Sequence, residues 1–287
     1  MNRALLVGIN KYPKHASGPL KPFTQLSGCV NDVRAMAKFI RTRCGFAPAD
    51  IRLLTNSQAT KASMVRYLRW LVSRARPGDR LLFFYSGHGA PYPRPHYRGH
   101  AHHDTICPFD FDWTRKYSIT DMDFKSLFGR LPEGVELIWI TDSCFSGGLT
   151  RSLSVARTDG AGFKTVPAPE RVASILRKAR KNPHFKRVGM HAIASQLHGA
   201  LIAAAGPAQY SYDVPFRGGD HGALTYYLLK ALNRGDGLTA PLGRIVEKTR
   251  RMAIRGQHQH PELRGERSVM QRPFLAPPQL EASRRRK

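Results

Sequence analysis

Two apolar runs constrain this chain more than any other feature. Arg80-Leu81-Leu82-Phe83-Phe84-Tyr85 runs into Ser86-Gly87-His88-Gly89, and Val135-Glu136-Leu137-Ile138-Trp139-Ile140 runs into Thr141-Asp142-Ser143-Cys144-Phe145-Ser146-Gly147-Gly148. Near-continuous hydrophobicity without helical spacing predicts strands buried on both faces, as in a parallel sheet covered by helices. Glycines directly after such strands predict tight turns at the carboxyl edge of the sheet, where open α/β folds bind ligands. One turn carries a histidine and the other a cysteine.

The rest of the chain fits that frame. Residues 4–9 predict a first strand, and a loop fills 11–27. A helix opens near Asn31 with Val33, Met36, Ala37, Phe39 and Ile40 on one face. A short strand follows at 51–54, and a second helix spans 60–74, with Thr60 a candidate cap. Residues 90–103 read as an exposed loop, 104–110 hold a short strand, and 118–128 predict a third helix. This alternation predicts an α/β domain over residues 1–260 with a mostly parallel central sheet and helices on both faces. Residues 149–190 read as a long basic surface connection with one helix near 169–181. At least one of the runs 191–195 and 200–205 predicts a further strand, and helices are expected at 221–232 and 242–255. A Pro-rich, basic tail, loop or disordered, is expected over 261–287.

Composition excludes some functions. No run of 18 apolar residues exists, so no membrane span is expected. The amino-terminal apolar run leads directly into fold-like sequence and reads as a strand, not a leader. The four cysteines, Cys29, Cys44, Cys107 and Cys144, form no CxxC pair. That argues against a zinc site and a disulfide framework, and for free thiols in a reducing cytoplasm. The net charge of +26 would attract anionic surfaces. The bases are spread along the chain without interleaved stacking aromatics, so no dedicated nucleic-acid site is expected.

A cysteine beside a histidine can lose its proton to it, and the thiolate then attacks a carbonyl carbon. His88 would later protonate the leaving amine. Backbone N–H groups at Gly89 and Cys144 are the candidate oxyanion donors, because glycine lets a substrate approach the backbone.

These motifs closely resemble the two catalytic motifs of caspase-like cysteine peptidases, above all the metacaspases and their bacterial relatives. The resemblance extends over roughly residues 3–232. It includes Leu6-Val7-Gly8-Ile9-Asn10-Lys11-Tyr12, Leu26-Ser27-Gly28-Cys29-Val30-Asn31-Asp32-Val33, Asp104-Thr105-Ile106-Cys107-Pro108-Phe109-Asp110 and His221-Gly222-Ala223-Leu224-Thr225. It implies the caspase–haemoglobinase fold and a thiol endopeptidase with His88 as base and Cys144 as nucleophile. It also implies an S1 pocket containing Asp32 and Asp142, with Cys29 and Ser86 at the other pocket positions. Two carboxylates in a partly buried pocket need a cationic partner, so protein or peptide substrates with Arg or Lys at P1 are expected. The plainer roles, Asp32 as a helix cap and Asp142 as a turn residue, compete with this.

Many metacaspases use calcium held by four acids. Here Asp104 or Asp110 would be the first, the expected adjacent pair is split as Asp121-Met122-Asp123, and Arg151 precedes the next acid, Asp159. No metal site and no cofactor are therefore expected. Relatives often cleave themselves after the nucleophile, which makes Arg157, Lys164, Lys178 and Arg180 candidate processing sites, Arg177 and Lys181 beside them. A monomer is expected. The rivals are a catalytically silent caspase-like interaction module and a basic protein binding nucleic acid or anionic surfaces.

Overall fold

The structure is a computed structural model that describes residues 1–13, 23–93, 102–145, 161–166, 168–180, 189–206 and 209–275. In chain order, β1 (Asn2–Gly8), α1 (Cys29–Arg43), β2 (Ile51–Thr55), α2 (Lys61–Val72) and β3 (Arg80–Ser86) build the first half of the sheet. A small antiparallel unit follows: β4 (Gly89–Pro93), β5 (His102–Ile106) and β6 (Ile119–Thr120), leading into α3 (Asp121–Phe128). Then come β7 (Glu136–Asp142), β8 (Gly162–Phe163), α4 (Glu170–Arg180), α5 (Met190–Ala194) and β9 (Ala200–Ala203). β10 (Tyr212–Phe216), β11 (Gly219–Gly222), α6 (Ala223–Leu232), α7 (Leu242–Gln257), β12 (Glu262–Gly265) and α8 (Arg267–Met270) complete the chain.

The main sheet has the order β12-β9-β7-β3-β1-β2, parallel throughout except for β12. β3 and β7 lie at its centre and are buried at every residue. Their side chains alternate between two cores. Leu81, Phe83, Leu137 and Trp139 face α2, α3 and α5, whereas Leu82, Phe84, Ile138 and Ile140 face α1, α6 and α7. This two-sided burial is why both strands read as unbroken apolar runs. It is the mostly parallel α/β architecture expected. Thr60 caps α2 by accepting from Ser63 N, as expected.

Three expectations need correction. The exposed loop expected from residue 90 instead begins with β4 and ends in β5; Ala90 and His103 are buried there, because the β4–β5 pairing covers the site edge of the sheet. The surface connection expected over 149–190 dives inward at 161–166, where Lys164 is fully buried. α4 falls where a helix was expected. The loop or disorder expected from 261 instead supplies β12, which hydrogen-bonds to β9, and Phe274 and Leu275 pack into the core. Arg80 Nη1 donates to Leu275 O at 2.6 Å, and Leu275 N donates to Glu136 Oε1 at 3.3 Å. The polar and proline-rich composition there hid a short edge strand, whose pairing depends on β9 rather than on its own hydrophobicity.

Candidate active site

Register places the two turns side by side. β3 and β7 pair in parallel with Ser86 opposite Asp142, so His88 and Cys144 each lie two residues beyond the same rung. Gly87 N donates to Asp142 O at 3.4 Å and stitches the two strand ends.

His88 is fully buried and held from several sides. Its backbone N–H donates to Tyr12 Oη at 3.1 Å, and its carbonyl accepts from Tyr85 Oη at 2.7 Å. On its ring, Nε2 lies 2.6 Å from Thr24 O. A carbonyl only accepts, so Nε2 carries the hydrogen and Nδ1 carries the lone pair. Nδ1 is buried and has no hydrogen-bond partner among the described residues. Burial lowers the ring's pKa to about 4, so the imidazole is neutral at physiological pH. The Cys144 thiol donates to Gln209 O at 3.0 Å.

The expected oxyanion donors and pocket acids converge on one residue, Lys164. Gly89 N and Cys144 N both donate to Lys164 O at 3.1 Å. The lysine side chain runs into a closed polar chamber. Its Nζ donates to Ser86 Oγ at 2.8 Å and pairs with Asp142 Oδ1 at 3.2 Å and Asp32 Oδ2 at 3.4 Å. Burial alone would lower the ammonium's pKa, but Asp142, with Cys29, Asp32 and Asp213 behind it, holds it well above its ordinary value.

The acids are held just as firmly. Asp142 Oδ2 accepts Thr225 N at 2.9 Å and Thr225 Oγ1 at 2.7 Å, which places a carboxylate at the amino terminus of α6; Oδ1 accepts Ser211 Oγ at 2.9 Å. Asp32 accepts from Ser86 Oγ at 2.7 Å and Gly222 N at 3.0 Å, and it pairs with His221 Nδ1 at 2.9 Å. Asp32 therefore does not cap α1: the cap position is Gly28, and Asp32 points from the first turn into the chamber. Gly222 is glycine because a Cβ there would overlap Lys164 Nζ and the Asp142 carboxylate. Cys29 sits behind the chamber, and burial pushes its thiol far up, against the pull of Lys164, so it is a neutral wall.

Arg157 lies outside the described residues. Lys178 and Arg180 belong to α4, whose helical backbone would have to unwind before a peptidase could accept it. Sequence reasoning missed Tyr12 and Tyr85 as supports of His88, and Thr24, Gln209, Ser211, Thr225 and His221 as partners of the site. Tyr12, Tyr85, His221 and Thr225 stood inside quoted motifs; the others carry no local signal.

The acids that would hold calcium in the family are engaged otherwise. Asp104 Oδ2 accepts Met190 N at 3.0 Å, and Asp121 Oδ1 pairs with His103 Nδ1 at 2.6 Å. Asp123 accepts Thr120 N at 2.8 Å and binds Arg115, and Asp110 accepts Lys61 N at 2.8 Å. A hard cation needs several converging free oxygens, so these residues do not fit one. Residues 151 and 159 lie outside the described residues.

Comparison with known proteins agrees with this geometry. Residues 2–152 match the metacaspase peptidase C14 domain. Metacaspase-1 of Coccidioides immitis is 28% identical over 261 residues, covering 81% of this chain and 54% of that protein. Metacaspase-9 of Arabidopsis thaliana is 40% identical over 154 residues, covering 51% of this chain and 43% of that protein. The chain thus spans about half the length of curated relatives it matches. A crystal structure of a Geobacter sulfurreducens protein superposes with a TM-score of 0.69 at 22% identity, covering 96% of this chain and 98% of that one, which speaks for the fold alone. The chain belongs to the metacaspase family of peptidase C14 domains.

Proposed function

We propose that this chain is a cysteine endopeptidase that hydrolyses peptide bonds after lysine or arginine, with Cys144 as nucleophile and His88 as base. The observation that carries the reading is the seating of Lys164. Its carbonyl oxygen takes both candidate oxyanion donors while its ammonium takes both acids, which is how a P1 lysine of a substrate would lie. The Asp32–Asp142 chamber suits the planar donor fork of arginine as well.

Chemistry follows from the residues. The Cys144 thiol turns from Gln209 O and gives its proton to neutral His88 Nδ1. The thiolate attacks the P1 carbonyl carbon, and the N–H groups of Gly89 and Cys144 hold the oxyanion. The imidazolium, steadied by Thr24 O, gives its proton to the leaving amine as the C–N bond breaks. Water, deprotonated by His88, then hydrolyses the thioester and restores the thiol.

The same seating makes Lys164–Thr165 the foremost candidate for self-cleavage, ahead of Lys178 and Arg180 on their helix. We expect catalysis without calcium, action as a monomer, and a cytoplasmic setting suited to four free, buried cysteines. Fluorogenic peptides ending in Arg, Lys or Asp, assayed with wild type, Cys144→Ala and Asp142→Ala, test the proposal. Turnover of the Arg and Lys peptides that both variants lose is expected; cleavage after Asp, or of nothing, overturns it. Intact mass beside the Cys144→Ala control reads the self-cleavage, and light scattering reads the oligomeric state.

A further inference from the structure

The segment that carries Lys164 shows more than a P1 residue. Gly162 and Phe163 form β8, which pairs antiparallel with β10 in the register Phe163 to Tyr212 and Gly162 to Asp213. Lys164 N donates to Ser211 O at 3.0 Å and continues the ladder. Beyond the lysine, Thr165 bridges Gly89 in parallel, and Val166 N donates to Gly89 O at 3.4 Å. The segment is therefore an added strand, anchored by backbone bonds that any peptide can make and specified by what its alternate side chains meet.

Alternation sends Phe163 to the face opposite Lys164. There its ring meets two tyrosines: Tyr210 at a centroid distance of 5.0 Å and an interplanar angle of 60°, and Tyr212 at 5.5 Å and 48°. These are favourable inclined aromatic geometries. Ala161, on the same face, packs beside Val214 and Ala223, and a Cβ at Gly162 would rest 3.7 Å from Asp213 Cβ and 3.8 Å from Leu26 Cδ2.

We propose that Tyr210 and Tyr212 form an S2 subsite that selects an aromatic residue immediately before the P1 Lys or Arg. Preferred substrates are extended segments carrying two small residues, an aromatic and a base, laid antiparallel on β10. This inference rests on the reading that Lys164 lies as a substrate would, and it names the substrate class of that same site.

The test is a matched peptide set, Ala-Gly-X-Lys with X as Phe, Ala or Asp, read in two ways. As fluorogenic substrates of the wild type, the Phe peptide is expected to exceed the Ala peptide in kcat/KM by about tenfold or more, the order that burying a ring between two others gives. The ratio of the two should fall to within about threefold in Tyr210→Ala and Tyr212→Ala, the contribution of one such pair being lost. As fluorescent ligands of Cys144→Ala, the same peptides read the subsite without chemistry. Competition from the tethered 161–166 segment weakens every peptide by one common factor, so the ratio survives. Equal affinities of the Phe and Ala peptides overturn the subsite even if nothing is cleaved. Cleavage after Lys with no preference at X overturns it while leaving the proposed function standing. Phe-selective binding to Cys144→Ala, without turnover by wild type, supports the subsite and overturns the catalytic reading.

Discussion

Replacing Lys164 by methionine, a side chain of similar length without charge, should destabilise the folded chain at neutral pH. The ammonium lies 3.2 Å and 3.4 Å from two carboxylates that are themselves fully buried. At an effective dielectric near 20, each such contact is worth about 5 kcal/mol of gross attraction. Desolvation of the lysine and the smaller number of charges left to bury offset much of that. What remains is the cost of two buried acids without a cation, about 3–5 kcal/mol. Thr225, Ser211 and Gly222 still donate to the carboxylates, and water can enter if residues 161–166 lift away, so the lower half of that range is the better expectation. For a chain of this size each kcal/mol shifts Tm by about 2–4 °C, which gives a fall of about 6–16 °C.

The assay is calorimetric unfolding of Lys164→Met in a Cys144→Ala background, which removes self-cleavage, at pH 7.5 and pH 4.5. The deficit should shrink at the lower pH, where one carboxylate can take the proton that replaces the cation. Adding Asp142→Asn to Lys164→Met should recover part of the loss at pH 7.5. A Tm within about 2 °C of the parent at both pH values would mean that the chamber is open to water and that Lys164 is not its structural counter-ion; an effect that size lies below about 1 kcal/mol.

His88 gives a pH dependence of defined sign. Its folded pKa, about 4, lies below the ordinary 6.5, so its contribution to stability is complete above pH 6.5 and is lost as pH falls towards 4. The loss should reach about 3 kcal/mol, and His88→Gln should remove that slope in chemical denaturation; an unchanged slope refutes the burial argument. Gly222→Ala puts a methyl group against the Asp142 carboxylate and the Lys164 ammonium. It should lower kcat/KM for Lys peptides about 10- to 100-fold through overpacking, and undiminished turnover would show that P1 enters elsewhere. Peptide turnover should agree within about twofold between millimolar calcium and excess chelator, since the acids needed for a hard-cation site are engaged by protein donors; strict calcium dependence would contradict this.

Much of the fold was legible because burial on both faces writes itself into consecutive residues. β3 and β7 could be read as central strands, and α2 with its Thr60 cap from spacing alone. The strands β10, β11 and β12 were not, because short, polar or glycine-containing strands hold their place through neighbours distant in sequence. In the site, His88 and Cys144 stood out through matched local contexts. The pairing of Asp32 with Asp142 came only through family resemblance, since 110 residues of chain separate them. Lys164 looked like one base among many in a basic connection. Nothing in its neighbours announces that its carbonyl meets Gly89 and Cys144 while its ammonium meets both acids.

The linear order of residues thus marked the candidate groups: a thiol and an imidazole, each placed by hydrophobic periodicity at the end of a buried strand. Tertiary structure decided what those groups face. Strand register put the two ends on one rung, the α6 terminus and Ser86 closed a chamber around two acids, and strand addition to β10 carried Lys164 into it with Phe163 between two tyrosines. Periodicity is a property of neighbours along the chain, whereas a pocket is a property of segments that meet only when the sheet has formed.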